Sequence, residues 1–151
     1  MSSPHDAPAT RFPVYFPMPH GPVPGMSISV QAEELEFGRA RLLDTPPTAV
    51  GAAVGDVYRV RPRSGGTWWA EEKLEPSGIC AVLVLPPEPP PVSILGRFAH
   101  LGVKGDDFFG IAVLEIPPDA DLGAVRRLLD DGVADGSWEY EELCVTDAWK
   151  T

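Results

Sequence analysis

Apolar and polar residues follow different patterns in the two halves of the chain. Short runs at residues 11–16, 26–32, 35–43, 54–60 and 68–70 predict strands, because they are separated by turns rich in proline, glycine and aspartate. Residues 79–85 and 108–116 are nearly continuous apolar runs, a pattern typical of strands covered on both faces. The first half of the chain is therefore predicted to be rich in β-structure.

A helical period appears after residue 116. Pro117-Pro118 cannot continue a strand ladder, and either Asp119 or Asp121 can cap the helix that follows. Four apolar side chains fall on one stripe of that helix: Leu122, Val125, Leu128 and Leu129. Gly132 and Gly136 are expected to bracket its exit. A second helix is predicted over residues 92–101.

Together these elements predict an α+β fold. The first half is expected to be a small barrel-like or meander sheet, and residues 79–145 a β-α-β-α-β layer of ferredoxin-like or split β-α-β type. The predicted organisation is a disordered tail (1–10), the β-rich half (11–85), a proline-rich linker (86–91), the α+β half (92–146) and a second tail (147–151). The two halves are expected to pack as one unit. A proline-rich ligand for an SH3-type domain is the alternative interpretation of residues 86–91.

Net charge restricts the partners of this protein. The total is −10; residues 1–91 carry 7 Lys or Arg against 10 Asp or Glu, and residues 92–151 carry 5 against 12. An acidic surface repels phosphate, so we expect a basic protein partner and neither nucleic acid nor a membrane. The polar start and the lack of a long apolar run favour a cytoplasmic protein. The oligomeric state stays open.

Residues with catalytic or metal-binding chemistry are scattered. His5, His20 and His100 lie far apart, and none has a second His or Cys at the spacing of a metal site. The sequence has no glycine-rich phosphate loop and no nucleophile elbow. Cys80 and Cys144 lie in apolar strands and are expected to be buried free thiols. We therefore expect no catalytic residue, no metal and no cofactor.

The last predicted strand carries the first candidate binding site. Trp138 and Tyr140 alternate with Glu139 and Glu141, and the adjacent Glu142 predicts a bulge or a change of register. One interpretation is that these five residues form a docking face for a basic partner. The alternative is that the glutamates protect a sheet edge from pairing with another chain.

Trp68 and Trp69 form the second candidate, an aromatic patch. Adjacent residues of a strand point to opposite faces, so the two rings cannot share one core. One of them is free to join an exposed patch that binds a protein or a small molecule. Alternatively, proline-rich loops cover the second ring. A further acidic pair, Asp106 and Asp107, is expected in a solvated loop, and the alternative is that it binds a cation or acts as an acid/base pair.

The segment from residue 109 to residue 142, FGIAVLEIPPDADLGAVRRLLDDGVADGSWEYEE, resembles a known family signature. The signature is an apolar strand, a Pro-Pro-x-Ala-Asp turn, a helix and a Trp-Glu-Tyr-Glu-Glu strand, and it is that of the bacterial domain-of-unknown-function family 4265. Gly55-Asp56-Val57 and Glu75-Pro76-Ser77-Gly78 resemble its first half. The resemblance implies a shared fold and a bacterial, cytoplasmic setting. It brings no activity with it.

Three functional hypotheses follow. The first is a non-enzymatic protein-binding module, of immunity type or regulatory, that uses its acidic C-terminal half. The second is a small-molecule binding module with its ligand between the two halves. An enzyme of unknown class is the third, and it has the least support because no catalytic constellation is visible.

Overall fold

The computed structural model describes residues 10–18, 25–47, 51–88, 93–108 and 110–151. Its elements, in chain order, are β1 (Arg11–Pro17), β2 (Ser27–Leu35), β3 (Arg39–Leu42), β4 (Val57–Pro62), β5 (Trp68–Glu75), β6 (Cys80–Leu85), α1 (Ile94–Phe98) with a 3₁₀ turn at Ala99–Leu101, β7 (Lys104–Phe108), β8 (Ile111–Ile116), α2 (Leu122–Ala134), β9 (Glu139–Cys144) and α3 (Asp147–Lys150). The result is two sheets with a few short helices, in agreement with the α+β prediction.

Strands β1 to β5 close into a barrel. Neighbouring strands are antiparallel, and the barrel closes where β1 runs parallel to β5 at Val14–Trp68 and Tyr15–Trp69. Alternate side chains point inward because successive residues of a strand face opposite ways. The interior is filled by Val14, Phe16, Ala32, Ala40, Leu42, Ala52, Tyr58 and Val60.

The second sheet has the strand order β7-β8-β6-β9, with every neighbouring pair antiparallel. Its central strand β6 is buried on both faces, as the continuous apolar run predicts. One face packs against the helices through Val82, Leu114, Phe98, Val125 and Leu129. The other face meets the barrel half, where Ala53 packs with Ala81, Leu83, Val113 and Leu143.

Strand β7 corrects the predicted β-α-β-α-β order, which is one strand short. Asp106 and Asp107, expected in a loop, lie on this edge strand beside β8. The sequence LysGlyAspAsp has no apolar alternation, because an edge strand with exposed side chains does not need one. Gly105 permits the pairing, since its φ is +148° and a Cβ there would collide with the carbonyl of Val113.

Other boundaries differ from the prediction for local reasons. The strand expected at residues 35–43 is split by a turn at residues 36–38, so β2 continues to Leu35 and β3 begins at Arg39. Residues 147–150, expected in a tail, form α3, whose Trp149 is 1 % exposed. The predicted linker is described only over residues 86–88; the rest of it, and residues 1–9 of the predicted first tail, lie outside the described residues.

Helix α2 has the predicted cap and exit, with its stripe buried to different depths. Asp121 caps it by accepting a hydrogen bond of 3.0 Å from the Ala124 backbone N–H. Val125 and Leu129 are fully buried, whereas Leu128 is only half-buried. The helix ends at Ala134, so Gly132 and Gly136 bracket its exit as predicted, and Gly132 is buried beneath the indole of Trp138. That indole also donates a 3.0 Å hydrogen bond to the carbonyl of Leu129.

Replacing Gly132 by alanine should destabilise the protein although alanine is the better helix former. A Cβ at Gly132 would overlap the Trp138 ring, and overpacking of this kind costs about 1–3 kcal/mol. Gly123→Ala in the same helix is the matched control, because a Cβ there meets its nearest atoms at 3.6 Å. We expect Gly123→Ala to stabilise by up to about 1 kcal/mol. Equal urea midpoints for the two variants would contradict this packing.

Candidate functional site

The barrel has a pocket of about 250 Å³ at one end. Its walls are mostly apolar. They come from all five barrel strands, from the residue before β1 and from the turn between β2 and β3. The lining consists of Thr10, Phe12, Glu34, Gly38, Arg39, Val60 and Trp68. We call this site the barrel mouth. The rings of Phe12 and Trp68 meet edge to face at 6.0 Å, and Trp68 keeps 37 % of its surface exposed.

Phe37 projects next to the barrel mouth, at the turn between β2 and β3. Its side chain is 91 % exposed, and its φ is +63°, a region that bulky side chains rarely adopt. The following residue, Gly38, has a φ of +70° and lines the mouth. Glycine or asparagine suits such a position without the cost of an exposed ring. Phe37 thus carries both a backbone cost and a solvation cost, which is a common sign of a functional side chain.

Arg39 supplies the positive charge of the barrel mouth. Its Nη1 lies 3.3 Å from Glu75 Oε2, an exposed ion pair. Its Nε is buried and has no hydrogen-bond partner among the described residues. A buried donor of this kind favours an added acceptor at the site. The mouth therefore combines aromatic surface with one unsatisfied donor.

Trp69 points away from the barrel mouth, as the alternation predicts. Its ring lies 5.4 Å from that of Tyr15, and the guanidinium of Arg63 lies over it at 4.1 Å. Trp68 and Trp69 therefore do not form one aromatic patch. The structure joins Trp68 to Phe12 instead.

The structure separates the five residues of the predicted docking face on β9. Trp138 is 3 % exposed and packs in the core, so it presents almost no accessible surface. Tyr140 donates a 2.7 Å hydrogen bond to Asp130, and Glu142 accepts one from the indole of Trp149. Glu139 and Glu141 are exposed. A register shift opposite Ala81 and Val82 gives the bulge that the adjacent glutamates predict. The five residues do not share one surface.

Asp56 is the central polar group where the barrel meets the second sheet. It is 1 % exposed and accepts hydrogen bonds from the backbone N–H groups of Ala53 (2.9 Å) and Ser77 (2.8 Å). Its Oδ2 also lies 2.9 Å from Lys73 Nζ. Lys73 in turn donates to the carbonyl of Gly51 and lies 3.6 Å from the Sγ of Cys144 on β9.

The environment of this cluster decides its protonation. Burial opposes the charged form of Lys73, but the hydrogen bond and the charge of Asp56 outweigh it and leave the pKa of Lys73 above its ordinary value. Burial raises the pKa of Tyr58 to about 12. Burial also raises the pKa of Cys144, so its thiol stays protonated near neutral pH. A protonated, half-buried thiol is a poor nucleophile. Cys80 is buried, as predicted.

A second polar contact crosses the same junction. Thr45, which is 6 % exposed, donates a 2.7 Å hydrogen bond to Glu115 on β8 and accepts one of 2.9 Å from the Val54 N–H. Burial raises the pKa of Glu115, opposed in part by the Thr45 hydroxyl. The junction is thus held by specific polar contacts and by the apolar cluster around Ala53.

Across the described ranges, no helix is long and apolar enough to cross a membrane. Within the same part of the chain, no group of three or more His, Cys, Asp or Glu side chains is placed to hold a metal ion.

Comparison with known proteins identifies the family. The family model described as "Domain of unknown function (DUF4265)" matches residues 29–140. The chain belongs to the DUF4265 family. This confirms the resemblance seen in the segment from residue 109 to residue 142. The matched region of the DUF4265 domain includes Phe37, Arg39, Asp56 and Lys73.

One solved structure with a similar fold is a hypothetical protein from Neisseria gonorrhoeae. It aligns with a TM-score of 0.71 and 13 % identity, over 93 % of this chain and 98 % of that chain. At this identity the match supports the fold alone. No curated protein matches the DUF4265 chain.

Sequence reasoning missed Phe37 and the Asp56–Lys73 pair. Phe37 sits between Glu36 and Gly38, and an aromatic before a glycine at a turn was the available signal. Asp56 directly precedes β4 and Lys73 lies on β5, and nothing in their spacing indicates a contact.

Replacing Lys73 by methionine should destabilise the DUF4265 domain by about 3 kcal/mol. The variant leaves the Asp56 carboxylate buried and unpaired, and the cost lies at the lower end of the usual range because Lys73 is partly solvated. Arg61→Met is the control, since it breaks an exposed pair with Glu71 and should cost at most about 1 kcal/mol. Urea unfolding of both variants measures the difference. A loss no larger than that of Arg61→Met would show that Asp56 does not need its partner.

Proposed function

We propose that this protein is a non-enzymatic protein-binding module, regulatory or of immunity type, and that it docks through the barrel mouth. The observation that carries the proposal is Phe37, which is almost fully exposed in a strained backbone conformation beside an aromatic pocket. Exposed aromatic side chains with an adjacent arginine are typical of the residues that dominate protein interfaces. This docking face differs from the one that the sequence predicted on β9.

The size of the barrel mouth favours a protein partner over a free ligand. A volume of about 250 Å³ lies below the range of about 300–1,000 Å³ usual for small-molecule sites. It suits a single apolar side chain of a partner, inserted against Phe12 and Trp68. We expect the ring of Phe37 to be buried in an apolar cavity of that partner, because removing its apolar surface from water lowers the free energy of the complex.

The charge of the protein favours a basic partner. At −10 the molecule attracts basic proteins over long range, which raises the rate of encounter more than the final affinity. Glu139 and Glu141 lie on the edge strand β9, and Asp106 and Asp107 on the edge strand β7. Acidic side chains at both edges also fit the protection of a sheet from pairing with other chains.

Two other hypotheses have less support. A ligand between the two halves would need open space, but the described part of that junction is filled by the cluster around Ala53 and by the contacts of Asp56, Lys73, Thr45 and Glu115. An enzyme would need an activated group, and the thiol of Cys144 has a raised pKa.

We further propose that the second half is a ferredoxin-like unit. The support is its chain order β6-α1-β7-β8-α2-β9, combined with the sheet order β7-β8-β6-β9 and antiparallel neighbours throughout. An experimental structure in which either helical crossover is left-handed would contradict this assignment.

Phe37→Asn should stabilise the protein and weaken its docking. Asparagine tolerates a positive φ and leaves no exposed ring, so we expect about 1 kcal/mol more stability by urea unfolding. The same variant, immobilised in cell lysate, should lose the proteins that the wild type retains.

Val133→Ser is the matched control for this experiment. Val133 is 45 % exposed on α2, so the change removes apolar surface far from the barrel mouth. It should leave the retained proteins unchanged. Retention by Phe37→Asn at the wild-type level, or its loss only when Glu139 and Glu141 are replaced by glutamine, would overturn the barrel-mouth proposal. The second result would return the docking face to β9.

A further inference from the structure

Five of the twelve Lys and Arg residues form ion pairs on the barrel. Arg41, Arg59 and Arg61 each pair with a glutamate of a neighbouring strand, Arg39 pairs with Glu75 across β4, and Lys73 pairs with Asp56. Within the described residues, the other seven form no ion pair with a side-chain carboxylate, and they include Arg126, Arg127 and Lys150. These three line one pocket.

That pocket lies between α2, β9 and α3 and has a volume of about 410 Å³. Arg126 and Arg127 come from α2 and Lys150 from α3, so two separate elements bring their charges together. The volume falls in the range of small-molecule sites. We call this site the arginine pocket.

Arg126 is incompletely satisfied. Its Nη2 donates a 3.1 Å hydrogen bond to the carbonyl of Thr151, while its Nε is buried and has no partner among the described residues. Buried donors normally find an acceptor, and a guanidinium presents its donors in a fork that fits phosphate or carboxylate. An anion bound in the pocket would offer such an acceptor to Arg126.

The two carboxylates of the pocket are held by neutral donors. Asp130 accepts the 2.7 Å hydrogen bond from the Tyr140 hydroxyl, and Glu142 accepts one from the Trp149 indole. These contacts fix the carboxylates in place but leave lone pairs free, because each carboxylate can accept several hydrogen bonds. They would select a ligand that also carries donors.

We propose that the arginine pocket binds a small molecule with an anionic group, phosphate or carboxylate, and hydroxyl or ammonium donors elsewhere. Arg126, Arg127 and Lys150 bind the anionic group. Asp130 and Glu142 accept hydrogen bonds from the donors and disfavour ligands with a second negative charge next to them. The site lies in the second half of the chain and does not depend on docking at the barrel mouth.

Nuclear magnetic resonance of the full chain tests this inference. Inorganic phosphate and acetate are titrated separately, with chloride holding the ionic strength constant. We expect saturable shifts at the Gly123 amide and the Trp149 indole N–H with at least one anion. Arg127→Gln and Lys150→Gln should each weaken binding about tenfold, as expected for loss of one charge-assisted hydrogen bond.

Lys104→Gln is the control, because it removes one positive charge from the exposed edge strand β7. It should leave the affinity unchanged. Tighter binding of phosphate or of acetate identifies the anionic group, and equal binding supports the shared chemistry. Absence of saturable shifts with both anions would overturn the proposal. So would an equal loss in Lys104→Gln, because the response would then follow net charge alone. Arg127 is exposed, so its variant should fold, which circular dichroism checks.

Discussion

The buried carboxylate of Asp56 is the contact on which the rest of the structure depends. It lies at the start of β4, at the junction of the two halves, and holds the backbone before β4 and the segment between β5 and β6. A carboxylate that is 1 % exposed persists only with partners that satisfy its charge, and Lys73 supplies the counter-charge. Since Lys73 also contacts the Cys144 thiol on β9, one network ties the barrel to the second sheet.

The closed barrel has its strands paired all round, so the turn that carries Phe37 is held by β2 and β3 on a rigid support. Strain can persist at such a turn because the surrounding ladder determines its conformation. The two candidate sites are separate from each other. The barrel mouth lies in the first half of the chain and presents aromatic surface, whereas the arginine pocket lies in the second half and presents three cations.

Elements with a buried face could be predicted from the local pattern of apolar residues. The other elements depend on contacts between residues far apart in the sequence. The run of β6 and the stripe of α2 indicated a central strand and a packed helix, because burial on both faces leaves a continuous apolar run and burial on one stripe leaves a helical period. Strand β7 leaves none, since its residues are exposed and its pairing depends on Gly105. Helix α3 is too short for a period, and Trp149 alone anchors it. The candidate sites escaped prediction for the same reason: Phe12 and Trp68 meet through barrel closure, and Arg126 and Lys150 through the docking of α3.

Hydrogen exchange of the full chain in low urea tests most directly whether Asp56 and Lys73 join the two halves into one cooperative unit. The backbone amides of Val14, in the barrel, and Val82, in the second sheet, are both buried and report the opening of each half. The account predicts that their opening free energies converge to one value with the same dependence on urea. A barrel amide that opens at a clearly lower free energy, with a weaker urea dependence than Val82, would contradict it.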